Sequence, residues 1–482
     1  MSKTKNIIKP GNDFGGWIIQ KHLGSGGNGD VWQVSKENYE PHAIKILRKV
    51  DDKSYERFKI EIESLVKLGT YEGIVPLVDK HIPEKRGSGP AWFVMPLASS
   101  FEEYRKNKTA IQITSDFIKL AKVVEYLHAH KISHRDIKPT NFLYLNGRLC
   151  LSDFGLVKYP DQKNLTSVFR DVGAKFTMAP EMRRIAWKAD GIPADVYSFA
   201  KSLWIAITDE PLGFDGQYNQ ASTISLKNHL KGIYTTKLDQ LLSKCTEDEP
   251  TLRPNMTLVI TRLEEWLSLL ENFSERNLVE WTELTQKLFP LGSPSRTTWT
   301  QIDAICAVLS EIAEVPALNH MFYPSGGGHT ITGVSRAAEK GMIALHIGEK
   351  MAEILKPKKL TYEYFNADTH WNYFRLEAEI INPIGIKGAL DSDGISESLT
   401  EITPGEYYPY KHWEYNEFNG EPLPESARPV NRYLNGSFVF FSTNSIYNHT
   451  PATYDARHNK MSEEEFRRYI ERSATRQGIK NA

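Results

Sequence analysis

From about residue 14 the chain alternates apolar and polar positions in short blocks. Trp17-Ile18-Ile19, Val31-Trp32-Gln33-Val34 and Ala43-Ile44-Lys45-Ile46-Leu47 read as strands, with a cluster of glycines between the first two. The spacing of Phe58, Ile62, Leu65 and Leu68 then predicts a helix with one apolar face. Residues 74–78 and 92–95 are further strands. The charged, Gly/Pro-rich stretch 80–90 between them reads as an exposed hairpin loop. From Ser115 helical periodicity takes over, over 117–130, 193–208, 238–245 and 256–270, and a polar stretch at 271–275 closes this part.

The pattern beyond is weaker. Residues 277–288, 302–312 and 337–355 read as helices, and 360–365, 373–381 and 437–441 as strands. Residues 392–428, rich in Gly, Pro, Glu and aromatics, read as long surface loops. Ser462 followed by three glutamates is a helix start, predicting a helix over 462–473. The expected class is therefore α+β. A first domain over 14–272 has a β-rich lobe (14–97) and a helical lobe (98–272), and a separate mixed α/β domain follows over 276–482.

Composition narrows the function classes. A chain of 482 residues is too long for one core. With 40% hydrophobic and 25% charged residues it is ordinary globular protein. Lys plus Arg (59) balances Asp plus Glu (60), so there is no global basic field to hold nucleic acid. The three cysteines are far apart and form neither a metal spacing nor a disulfide framework, which suits a reducing cytoplasm. No apolar run approaches the ~18 residues of a membrane span, and no apolar core follows the lysine-rich start as a signal peptide needs. The expectation is a cytoplasmic protein of undetermined oligomeric state.

The chemistry lies in a few segments. Gly24-Ser25-Gly26-Gly27-Asn28-Gly29-Asp30-Val31 has the form G-x-G-x-x-G-x-V between two strands. Its small residues let backbone N–H groups approach phosphate oxygens. Alone its default reading is a plain hairpin turn, and a dinucleotide-binding turn needs a helix directly after it, where here a strand follows. Lys45 shares a strand face with Ala43, so the alanine floors an adenine pocket while the lysine reaches phosphates. A buried lysine needs a counter-charge, and the following helix offers Glu61 and Glu63. His134-Arg135-Asp136-Ile137-Lys138-Pro139-Thr140-Asn141 matches H-R-D-x-K-x-x-N, the most specific segment in the chain. There Asp136 orients or deprotonates a substrate hydroxyl, Lys138 steadies a γ-phosphate and Asn141 holds a metal. Asp153-Phe154-Gly155 then supplies a second metal ligand in Asp153.

With these segments in this order, residues 14 to about 270 resemble a eukaryotic-type (Hanks-type) serine/threonine protein kinase, as found in many bacteria. The resemblance implies the two-lobed protein kinase fold, ATP with Mg²⁺ or Mn²⁺, and transfer of the γ-phosphate to protein hydroxyls. Its nucleotide-contacting positions are Gly24, Ser25, Gly26, Gly27, Asn28, Gly29, Val31, Ala43, Lys45, Met95 and Leu97. Glu61 is the partner of Lys45, because the family packs an apolar side chain four residues beyond that glutamate. Leu65 occupies that place for Glu61, and Lys67 for Glu63. Ala179-Pro180-Glu181, Asp195 and Arg253 match structural positions of the family, Arg253 pairing with Glu181. His134, Phe154 and Gly155 are structural by the same precedent. Lys138 implies Ser/Thr rather than Tyr specificity. Ala174, where the Ser/Thr members usually carry threonine after Gly173, departs from that pattern. Arg135 implies a phosphate on the activation segment, with Thr166 and Ser167 as candidate autophosphorylation sites unless they are simple loop hydroxyls.

Residues 276–482 resemble no named family. Ser325-Gly326-Gly327-Gly328-His329-Thr330, read as preceding a helix, seats an anion or forms a plain loop. The histidines from His329 to His458 have no ligand spacing. The aromatic run Tyr407 to Tyr415 is either a recognition loop or self-packed. Three readings follow: an active kinase with a C-terminal sensor or substrate-recruiting domain, a pseudokinase scaffold, or a bifunctional protein. Lys45, Asp136, Asn141 and Asp153 favour the first.

Overall fold

The structure, a computed structural model, describes residues 8–26, 29–48, 51–84, 88–160, 176–186, 188–324, 327–348, 351–365, 370–381, 399–409, 411–430, 432–442 and 461–480. The chain divides into two compact units, Met1–Ser268 and Leu269–Ala482.

The first unit opens with strands β1 (Asp13–Phe14), β2 (Trp17–Ser25), β3 (Gly29–Ser35), β4 (His42–Leu47), β5 (Asp79–His81) and β6 (Trp92–Pro96). They form one antiparallel sheet in the order β1-β2-β3-β4-β6-β5. Ile44 and Ile46 of β4 join Trp17, Ile19, Val34, Trp92 and Val94 in a core on one face. The period of two sends Ala43 and Lys45 to the opposite face. Residues 74–78 hold only an isolated bridge, Ile74 to Leu151, and the strand comes later, at β5.

Helix α1 (Asp52–Leu68) starts where the Asp51 side chain accepts from Ser54 N, and it buries the expected Phe58, Ile62, Leu65 and Leu68. Glu61 is buried on that same face.

The helical lobe contains β7 (Ser99–Ser100), α2 (Phe101–Arg105), α3 (Ala110–Ala129), β8 (Phe142–Leu145), β9 (Arg148–Leu151), α4 (Pro180–Ile185), α5 (Gly191–Thr208), α6 (Leu226–His229), α7 (Thr236–Cys245) and α8 (Met256–Glu271). Helix α3 begins at Ala110, not 117, because Thr109 and Gln112 form a reciprocal capping box. Helix α5 is buried from Ala194 to Ile207, as its continuous apolar sequence requires.

The second unit centres on a six-stranded antiparallel sheet: Arg296–Trp299, Pro357–Glu363, Tyr373–Ala378, Gly436–Phe440, His320–Phe322 and Gly328–Thr330, in that spatial order. Leu360, Tyr362, Phe374, Leu376, Phe438 and Phe440 face a core shared with Trp281 and Leu284 of helix Phe273–Leu288 and Leu309 and Ile312 of helix Ile302–Ala313. Their alternate neighbours Tyr373, Val439 and Phe441 pack on Phe466 and Ile470 of the C-terminal helix Glu463–Lys480. The sheet is thus a layer between helices: one face is apolar, and the other mixes these aromatics with Thr361, Glu363, Arg375 and Glu377. Ser462 caps the last helix reciprocally with Glu465, the start signal read from the sequence.

Several expectations for this half are corrected. Residues 337–355 are not a helix but hold the antiparallel pair Ile343–Ile347 and Met351–Leu355. Gly341 and Gly348 there adopt positive φ, +83° and +61°, which turns the chain and breaks any helix. The glycine stretch at 325–330 leads into strand Gly328–Thr330 rather than a helix, so it offers no helix N-terminus for an anion. Of residues 392–428, read as loops, 392–398 and 410 lie outside the described residues and the rest is not all loop: Leu399–Thr403, Glu406–Pro409 and Arg428–Val430 form a small sheet beside helix Lys411–Tyr415. The polar stretch 271–275 contains only one residue outside a helix, Asn272, whose side chain caps helix Phe273–Leu288.

Candidate active site

The glycine-rich turn joins β2 to β3. Gly24 and Ser25 end β2, Gly26 N donates to Gly29 O at 2.9 Å, and Gly29 and Val31 begin β3. Gly27 and Asn28 lie outside the described residues. A Cβ on Gly24 would meet nothing within 4 Å, and one on Gly26 only Gly29 O at 3.8 Å. The space beside Gly24 and Gly26 is therefore open to an approaching phosphate group. On the neighbouring strands the register pairs Val31 with Lys45 and Ala43 with Met95. Leu97 follows β6 and is partly exposed.

Lys45 leaves β4 toward α1, where Nζ donates to Glu61 Oε1 at 2.6 Å and lies 3.7 Å from Asp153 Oδ1. Glu63, the other candidate, points to solvent with Lys59 3.9 Å away. Glu61 is the one brought to the lysine. Burial disfavours the charge on Lys45, but Asp153 and Glu61 outweigh it and raise its pKa. Burial pushes the Glu61 carboxyl up, to about 7, against the pull of Lys45.

The loop before the turn Pro139–Asn141 is held by Asp195, fully buried in α5. Its two carboxylate oxygens accept from His134 N and Arg135 N, each at 2.7 Å. That approach needs glycine at the start of α5: a Cβ on Gly191 would sit 2.2 Å from Ser133 Oγ. His134 Nδ1 accepts from Asp136 N at 3.3 Å, so Nε2 carries the proton and donates to Ser152 O at 3.1 Å. The His134 ring stands edge-on to Phe154, 4.8 Å between centroids, with Phe154 fully buried.

This scaffold brings the chemical groups together. Lys138 Nζ donates to Asp136 Oδ2 at 2.8 Å, and Asn141 Nδ2 donates to Asp136 O at 2.8 Å and to its Oδ2 at 3.1 Å. With its nitrogen turned to Asp136, Asn141 is left with Oδ1 as the atom to present to a cation. Asp153 adopts left-handed geometry, φ +61°, before the turn Phe154–Leu156 that packs against α1. Burial pushes the Asp136 carboxyl up against the pull of Lys138. Burial also opposes ionised Asp153, but Lys45, Lys138 and Arg57 outweigh it and hold that carboxyl low. Two neighbouring carboxylates so differentiated suit a proton acceptor and a cation ligand respectively.

Glu181 of α4 receives a bidentate pair from Arg253, at 2.6 and 3.0 Å, with the Arg253 side chain fully enclosed. Arg135 donates to Ala186 O at 2.6 Å. Thr166 and Ser167 lie outside the described residues.

Sequence reasoning missed three supporting groups. Phe93 lies beneath Lys45, 5.8 Å from Nζ to ring centroid, and the alternation of its strand was the available signal. Ser152 accepts from His134 and donates to Asn141 O at 2.9 Å, and it directly precedes Asp153. His128 Nε2 reaches Asp195 Oδ2 at 3.2 Å and carries no sequence signal of its own.

Comparison with known proteins gives a match to the protein kinase domain over residues 17–267. The chain is similar to dual specificity protein kinase TTK of Mus musculus, 34% identical over 177 residues, which covers 35% of this chain and 20% of that protein. It is similar to serine/threonine-protein kinase PknF of Mycobacterium tuberculosis, 28% identical over 221 residues, covering 42% of this chain and 45% of that one. Serine/threonine-protein kinase STY17 of Arabidopsis thaliana is 27% identical over 258 residues, covering 51% of this chain and 44% of its own length. The matches thus span less than half the length of each of these relatives.

Proposed function

This chain belongs to the protein kinase family, matched over residues 17–267, and on that premise we propose that it transfers the γ-phosphate of ATP to serine or threonine hydroxyls of a protein. The observation carrying the proposal is the convergence of two clusters. Lys45 is paired with Glu61 at 2.6 Å beside Asp153, and Asp136 is bonded to Lys138 at 2.8 Å and to Asn141.

In this reading, backbone N–H groups of the glycine turn follow the triphosphate. Glu61 holds Lys45 Nζ in place to contact its inner phosphates. The Asp136 carboxylate aligns the substrate hydroxyl and takes its proton as the hydroxyl oxygen bonds the γ-phosphorus. The bond to the bridging oxygen breaks with its electron pair leaving on ADP, and Lys138 balances charge on the phosphoryl in flight. Asp153 and Asn141 Oδ1 form an oxygen donor set suited to a hard divalent cation, Mg²⁺ or Mn²⁺. When bound, that ion neutralises phosphate charge.

The two-domain organisation belongs to the same proposal: a kinase domain over 14–272 and a regulatory or recognition domain over 276–482. So do autophosphorylation at Thr166 or Ser167 and a cytoplasmic location. Cys150, Cys245 and Cys306 are free thiols, which fits a reducing compartment. Among the described residues no helix is long and apolar enough to cross a membrane. The reading is tested by offering serine, threonine and tyrosine versions of one peptide with ATP and Mg²⁺. Transfer to tyrosine alone, or to none with the chain folded, would defeat it.

A further inference from the structure

Helices α7 and α8 present two matched faces on the large lobe. On α7, Lys237, Leu241 and Lys244 recur at helical spacing along one side. On α8, Leu258 and Arg262 lie one turn apart. Together with Leu252 and a set of side-chain carboxamides they enclose an open groove of about 920 Å³. None of these residues belongs to the site around Asp136.

Two properties of the groove point to its occupant. It is aliphatic where it is open: Leu252 is 61% exposed and Leu258 44%. Such surface gains by being covered. It is also cationic. Lys237, Lys244 and Arg262 line it, and among the described residues no carboxylate does. Glu247 lies 3.2 Å from Lys244 and Glu265 lies 2.6 Å from Arg262, but neither lines the groove. The Lys244 and Arg262 side chains are more than half exposed, where ion pairs hold weakly, so an arriving carboxylate exchanges with their partners at little cost. From Lys237 to Lys244 the α7 face runs about 10 Å at ~1.5 Å per residue, about the length of three extended residues.

We propose that this groove docks an acidic, leucine-bearing segment of the protein substrate, holding it on the large lobe while its hydroxyl is offered at Asp136. The inference rests on the kinase reading above and names how that site selects its protein. Carboxylates of the segment engage the cations on both walls, and a leucine covers Leu252 and Leu258.

The test uses the full chain and a fluorescein-labelled peptide of alternating glutamate and leucine, followed by anisotropy. Saturable binding is expected. The reversal K237E/K244E/R262E should weaken it at least about tenfold, the scale of three exposed charge pairs. L252S/L258S should weaken it as well, with unchanged melting curves for both variants. A lysine-leucine peptide should not bind. In turnover, an acceptor peptide fused to the acidic segment should show its KM raised about tenfold by the reversal at constant kcat. The same acceptor without the segment should be indifferent to the variant. Equal binding of the lysine peptide would overturn the proposal. So would retained affinity in the reversal, or a reversal that abolishes self-association of the chain in place of peptide binding. Transfer with a KM insensitive to the groove overturns docking alone. Peptide binding in a folded chain with no transfer overturns the substrate assignment and the kinase reading together.

Discussion

Replacing Glu61 with glutamine removes one charge from the interior and leaves the shape almost intact. Among the described residues the carboxylate then left beside Lys45 Nζ is Asp153, at 3.7 Å where Glu61 had been at 2.6 Å. Breaking a buried pair costs about 3–5 kcal/mol. The glutamine oxygen still accepts a hydrogen bond from the ammonium, which returns about 1.5–3 kcal/mol. The net loss is about 2 kcal/mol, or about thirtyfold in kcat/KM if the lysine acts in the transition state. Glu63 provides the control: its side chain is half exposed and 3.9 Å from Lys59. Glu63→Gln should cost less than about threefold, as exposed helix pairs do. The assay is steady-state phosphotransfer with ATP varied, with melting temperature as the control for folding. A pH series adds a second readout. Burial places the Glu61 carboxyl near 7, so lowering pH through that value neutralises the partner of Lys45 and activity should fall. Glu61→Gln should lose that limb of the profile. Equal losses in the two variants, or the greater loss in Glu63→Gln, would refute the reasoning.

Other consequences follow from buried charge elsewhere. Arg253→Ala strands Glu181 without its bidentate partner, and the loss of about 3–5 kcal/mol should lower the melting temperature of the kinase unit by about 10 °C, read by differential scanning calorimetry. In the second unit Glu280 is 2% exposed, and burial pushes its carboxyl up to about 7 despite the nearby Arg276. Its folded pKa exceeds its unfolded one, so its stabilising contribution is full below about 4.5. That contribution is lost as pH rises through about 7. Glu280→Gln should flatten this part of the pH–stability curve in tryptophan-fluorescence melts. An unchanged slope would mean that the carboxyl titrates normally.

The candidate site was legible because phosphate-transfer chemistry restricts both residue type and order. His134 to Asn141 is a single short segment whose own backbone and side chains build the Asp136 cluster, so local sequence carries most of its geometry. The Lys45–Glu61 pair was readable for a different reason: Leu65, one turn beyond Glu61, lies on the same buried face. What the sequence hid depends on distant chain. His128 and Gly191 serve the loop at His134 through Asp195 and Ser133, contacts that no local period encodes. In the second unit Ile343–Ile347 and Met351–Leu355 have mixed apolar spacing that suits helix or strand. Strand pairing decided between them, including a parallel contact of Met351–Leu355 with Arg432–Tyr433 far along the chain. Within residues 373–381 the strand Tyr373–Ala378 was readable from alternation: Phe374 and Leu376 face the core at Trp281, while Tyr373, Arg375 and Glu377 take the side of Phe466.

The central claim is that Asp136 and Asp153 divide the work of phosphoryl transfer. It is tested most directly by comparing wild type, Asp136→Asn and Asp153→Asn for Mg²⁺-dependent ATP binding and for transfer of labelled γ-phosphate to a serine peptide. Asp136→Asn should bind nucleotide as wild type does while its transfer rate falls by about 10²–10⁴, the usual contribution of a positioned proton acceptor. Asp153→Asn should lose the Mg²⁺-dependent part of binding itself. Full transfer by Asp136→Asn, or undiminished Mg²⁺-dependent binding by Asp153→Asn, would contradict the account.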